Sequence, residues 1–148
     1  MSVTAEAEYV RELFSQVEEI EEVAGTLSAD DQRRRRLTDV VDKVLRQAPP
    51  VRPVVAGELL DLTEKTVRAW AREGVLTVHS EKPRMLLDTS RVHEVLHLVA
   101  ELRVAGRTRG LLDEVHRRLS DRALRERDDL AESLAQMRAG EGRVVRTG

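Results

Sequence analysis

VVAGELLDLTEKTVRAWAREGVL, residues 54–76, breaks into two short apolar-periodic segments on either side of Asp61. Val55 to Leu62 has room only for a short helix, and Asp61 stands where the chain must turn. Thr63 is a good N-cap for a second helix through Glu73, and Gly74 supplies the residue that closes it. At roughly 100° per residue, Val67, Trp70 and Ala71 gather on one side of this second helix. Lys65, Arg68, Ala69 and Arg72 gather on the other. The small Gly57 lets the first helix sit close to the second.

Downstream, 76–79 and 84–87 are short β-prone runs around Ser80-Glu81-Lys82-Pro83, which predicts a hairpin. Asp88 or Thr89 then caps a long helix carrying Val92, Val95, Leu96, Val99 and Leu102, with Gly106 at its end. A further helix carries Leu111, Leu112, Val115 and Leu119. A last one, over 127–139, carries Leu130, Leu134 and Met137 before Gly140 and a loose tail.

Upstream, residues 4–24 form an amphipathic helix with Val10, Leu13, Phe14, Val17, Ile20 and Ala24 on one side. Thr4 caps its start and Gly25 ends it. A second helix follows Ser28, with Asp31 as a short capping-box partner. It carries Leu37, Val40, Val41, Val44, Leu45 and Ala48 until Pro49-Pro50 stops it. The two apolar stripes are too extensive to cover one another alone, which predicts self-association through this hairpin. Arg33 to Arg36 is read as a solvated face balancing the acidic first helix. Residues 51–53 read as a linker.

Composition narrows the chemistry. The chain of 148 residues is 41% hydrophobic and 35% charged but only 2% aromatic. That suits a helical core of Leu, Val and Ala, and argues against single-strand readers that stack bases on aromatic rings. With no cysteine there is no disulfide, thiolate metal site or Cys nucleophile. The first residues lack an apolar signal core and no run nears about 18 apolar residues, so a cytoplasmic protein without a membrane span is expected. No phosphate loop, nucleophile elbow or GxGxxG occurs, and an enzyme is not expected. His93 and His97, four apart, could share a metal with His116. They are read as a helix flank, with no metal or cofactor. The net charge of −2 hides an asymmetry. Residues 1–32 carry nine acids against the single Arg11, a balance of −8, which leaves +6 for the rest.

A helix that packs on an aromatic face and shows two arginines and a lysine outward can enter the major groove of duplex DNA. There arginine reads guanine through paired hydrogen bonds, lysine neutralises phosphate, and Ala69 leaves room for a thymine methyl. Thr66 to Leu76 (TVRAWAREGVL) resembles the T-[VL]-R-x-[WY]-x-R-x-G-[LV]-L signature of MerR-like and excisionase-like winged helices. The likeness extends over about 55–119, including VHEVLHLVAELRVAG (92–106). It implies that the helix bearing the motif is a recognition helix and the following hairpin a wing over the phosphates. Asp61 stands in place of the usual turn glycine, a residue that tolerates the left-handed conformation. The Gly-aromatic-Arg of the wing is missing; Pro83-Arg84-Met85 stands there and only Arg84 carries over. No long dimerising coiled coil or effector domain is read after the motif. A second resemblance is that of 129–141 (DLAESLAQMRAGE) to the toxin-wrapping tails of small bacterial antitoxins.

The expectation is a mostly α protein: an N-terminal helical hairpin (1–50), a winged helix-turn-helix (51–120) and a C-terminal helix with a flexible tail (121–148). It binds double-stranded DNA as a homodimer through Thr63, Lys65, Thr66, Arg68, Ala69, Arg72, Lys82 and Arg84. A toxin would be held by Leu130, Leu134 and Met137 together with the arginines near Gly140. A protein–protein adaptor and a DNA-architecture factor with a structural tail are the alternatives.

Overall fold

The first helix, α1 (Val3–Gly25), starts two residues earlier than expected, because Ser2 and not Thr4 caps it. The Ser2 hydroxyl accepts from the Ala5 amide at 3.1 Å. Likewise α2 (Gln32–Gln47) is capped by Asp31 rather than Ser28. One Asp31 oxygen accepts from the Arg33 amide at 2.8 Å, and the other pairs with the Arg33 guanidinium at 2.8 Å. These bonds hold the Asp31 carboxyl below its usual range. A carboxylate outcompetes a serine hydroxyl here because it also meets the positive end of the helix dipole. Within the arginine run, Arg34 donates to the Leu27 carbonyl, while Arg35 and Arg36 are exposed.

The structure is a computed structural model that describes residues 2–147, with side chains through residue 139. After α2 come α3 (Pro53–Leu60), α4 (Glu64–Arg72), the strands β1 (Val78–Ser80) and β2 (Leu86–Leu87), α5 (Thr89–Val104) and α6 (Leu111–Thr147). The described chain is mostly helical with one small antiparallel sheet. It divides between Arg109 and Gly110 into two compact units.

In the first unit, α1 packs on α2 and α3, and both α2 and α3 pack on α5. Val10, Phe14 and Val17 of α1 and Val41 and Leu45 of α2 are buried in this way. Of the two stripes, Leu13, Ile20, Leu37, Val44 and Ala48 remain half-buried and Val40 is exposed. The N-terminal hairpin shares a core with 51–109, centred on Val55, Leu60, Val67, Leu76, Leu87, Val95 and Leu98.

The segment read as a linker is structured. Val51 exchanges two backbone hydrogen bonds with Leu87, at 2.9 and 2.7 Å, and so lines the outer edge of β2. Pro53 then opens α3, where its missing amide costs nothing. β2 meets β1 on its other edge, with Val78 opposite Leu87 and an irregularity before Ser80 opposite Leu86. Asp88 precedes α5 without a side-chain cap; the Thr89 hydroxyl instead donates to the Pro49 carbonyl at 2.5 Å.

The second unit corrects the expected helix count. Leu111 to Leu119 and 127–139 belong to a single helix, α6, which runs on to Thr147. The intervening Ser120 to Glu126 contains neither Gly nor Pro. Ser120 satisfies its hydroxyl on the His116 carbonyl one turn back, at 3.0 Å, and stays helical. No helix among the described residues is long and apolar enough to cross a membrane.

Candidate nucleic-acid interface

The turn between α3 and α4 depends on two residues. Asp61 adopts the left-handed conformation (φ 55°, ψ 51°), and its amide closes α3 on the Gly57 carbonyl. The same carbonyl accepts from the Leu62 amide at 3.0 Å. The Leu62 carbonyl oxygen comes so close to Gly57 that a Cβ there would lie 2.7 Å from it. Only glycine permits this approach without movement of the backbone.

Thr63 then caps α4, accepting from the Thr66 amide at 3.1 Å, and its hydroxyl lies 2.8 Å from that of Thr66. The faces separate as the spacing requires: Val67, Trp70 and Ala71 are buried, with Trp70 only 4% exposed. Lys65 and Arg72 are exposed, and Thr66, Arg68 and Ala69 are half-buried. Arg68 is not idle. It holds Glu64 one turn back, its Nη2 at 3.0 Å and its Nε at 3.2 Å from the same carboxylate oxygen. Arg72 leans the same way, its Nε 3.4 Å from the Arg68 carbonyl. After Gly74 (φ 81°), the Val75 amide donates to the Trp70 carbonyl and the chain enters the hairpin. Lys82 and Arg84 are exposed in the segment joining β1 to β2.

Three arginines outside the motif hold this region in place. Arg103 of α5 donates to the carbonyls of Leu60 (2.7 Å) and Asp61 (3.1 Å), capping the C-terminal end of α3. Arg91 donates to the Val75 carbonyl at 2.9 Å, just past α4, and Arg11 reaches the Glu58 carbonyl at 3.3 Å. Local sequence carried no signal for these contacts, since the arginines lie 16 to 47 positions from their acceptors.

The candidate partner residues are in the second unit. Leu130, Leu134 and Met137 are 61%, 44% and 60% exposed on α6. Their four- and three-residue steps put them on one side of the helix. The arginines beyond Gly140 lie outside the residues whose side chains are described.

The two histidines read as a helix flank face each other on α5. Phe14 packs its ring against the buried His93 at a centroid distance of 4.7 Å, and the Nε2 atoms of His93 and His97 are 3.1 Å apart. Burial, and after it the neighbouring His97, push His93 down to about 4, so its imidazole is neutral near pH 7.

A scan against protein-family models, a search of curated proteins and a search of solved structures returned no match to this chain.

Proposed function

We propose that the chain is a sequence-specific duplex-DNA-binding protein that regulates transcription, its α3–α4 pair and β1–β2 hairpin acting as a MerR-like winged helix-turn-helix. What carries the reading is the division of α4 into two faces. Val67, Trp70 and Ala71 anchor it in the core, while Lys65, Arg68 and Arg72 lie on the side away from that anchor. A helix fixed through one face, with long cations on the other, can be inserted in a groove without being remodelled. Lys82 and Arg84 on the hairpin supply phosphate contacts, and Thr63 and Thr66 near the start of α4 can add backbone contacts. A protein–protein adaptor or a DNA-architecture factor would leave the arginines of α4 without a sequence to read.

The test is selection of duplex sites from a randomised pool, followed by gel-shift titration. Arg68→Ala is expected to cost about 1–3 kcal/mol at the selected site and to relax discrimination at one base pair. A double variant Arg68→Ala/Arg72→Ala that bound the selected site as well as wild type would refute α4 as the groove helix.

The exposed Leu130–Leu134–Met137 stripe favours a second reading, in which the same protein is the antitoxin of a toxin–antitoxin pair and represses its own operon. A toxin would cover that stripe with an apolar groove. This reading expects residues 121–139 to exchange amide hydrogens quickly in the free chain and to gain protection with toxin bound. Slow exchange in the free chain would exclude it and leave the plain regulator.

A further inference from the structure

Three metal-ligating side chains meet where α1 passes α5, away from the groove face. His93 and His97 stand one helical turn apart with their Nε2 atoms 3.1 Å from each other. Glu18 of α1 brings its Oε1 to 3.2 Å from His97 Nε2 and 3.9 Å from His93 Nε2. Sequence spacing could not find this carboxylate, because it arrives from a helix 75 positions earlier.

We propose that Glu18, His93 and His97 form a binding site for a divalent transition-metal ion, with Zn2+ the best fit. The geometry is the first argument. Three atoms at these separations share a point about 2.0 Å from each of them, the bond length zinc takes to imidazole nitrogen and carboxylate oxygen. Two histidines at i and i+4 on one helix are the spacing that lets both imidazoles reach one ion. The donor set is the second argument. Two nitrogens and an oxygen are too nitrogen-rich for Mg2+ or Ca2+, and the absence of sulfur disfavours Cu(I). The third is access: His93 is anchored, its side chain 7% exposed, whereas His97 and Glu18 are 41% and 46% exposed. An ion can therefore enter from solvent and keep a water in its fourth position. Glu21, with Oε1 3.7 Å from His93 Nε2, flanks the opening.

Without an ion, the two facing nitrogens can share only one proton between them, and one imidazole donates to the other. A metal accepts both lone pairs and the carboxylate together, tying α1 to α5. Binding is independent of DNA, so its test stands apart from the function proposed above.

The untagged full-length chain, stripped with chelator, should take up one Zn2+ per chain in calorimetric titration, with a raised melting temperature. Co2+ in its place should give the intense visible bands of four-coordinate geometry. His97→Ala is expected to weaken Zn2+ binding at least about 100-fold and Glu18→Gln at least about tenfold, each with an unchanged circular dichroism spectrum. His79→Ala, on the exposed part of β1, should bind as wild type. His97→Ala and Glu18→Gln remove the two open ligands without disturbing the packed His93. No saturable binding, wild-type affinity in His97→Ala, or loss in His79→Ala would overturn the site.

Discussion

Replacing Gly57 by alanine adds one carbon in the place where the chain has least room. That carbon would lie 2.7 Å from the Leu62 carbonyl oxygen, a backbone atom that cannot rotate away. The turn must shift, and overpacking of this kind costs about 1–3 kcal/mol. Gly57→Ala should therefore lower the melting temperature and weaken site-specific DNA binding in the same preparation. An unchanged melting curve would show that the turn yields freely. The need for a small residue at 57 and a left-handed one at 61 was legible because both belong to one local turn. Trp70 as an anchor was legible for the same reason, since the 100° step of an α-helix sorts its face from local sequence alone. Arg103 was not: an arginine late in an amphipathic helix says nothing of carbonyls 42 and 43 positions away. Nor was Glu18, one acid among many on α1, which gains meaning only when α5 lies beside it.

Along α4, the Glu64–Arg68 pair sets up a competition that the DNA reading must resolve. An exposed pair at this spacing is worth roughly 0.3–0.5 kcal/mol, so breaking it to free Arg68 is cheap. Glu64 would then remain as an acid beside the phosphates. Glu64→Gln should raise affinity for duplex DNA a few-fold, most at low salt, where charge repulsion is least screened. Fluorescence anisotropy across a salt series measures this, and weaker binding by the variant would place Glu64 in a positioning role. On the hairpin, Arg84→Ala should weaken all sequences alike and reduce the salt slope by about one. Equal slopes in variant and wild type would remove the wing from the interface. At this scale the helix periods were well read and the boundaries less so. Ser28 and Asp31 both suit a cap, and only the pairing of Asp31 with Arg33 separates them. The break expected near Ser120 rested on a thinning of apolar residues, which ends a buried face without ending a helix.

Over the whole chain, the acidic first 32 residues and the basic remainder divide the charge as −8 and +6. In the proposed DNA-binding reading, such an acidic head would disfavour loose, sequence-independent association while leaving α4 its cations. Two-fold sites are usually read by dimers. If the chain pairs as a homodimer, as proposed, α6 offers a seam, since Leu130, Leu134 and Met137 are exposed at three- and four-residue steps. Light scattering on the full chain should report a dimer, and a triple variant Leu130→Gln/Leu134→Gln/Met137→Gln a monomer. A variant that stayed dimeric would clear α6 of that role. The cap that Arg103 lends to α3 has a further consequence, in the order of synthesis. A nascent chain that has emerged only as far as the hairpin already contains every residue of α3 and α4. Yet the carbonyls of Leu60 and Asp61 still lack their arginine. The proposed reading head is thus finished from behind, by a helix translated after it, and a product truncated before residue 103 would carry the whole motif without the clamp that holds it in shape.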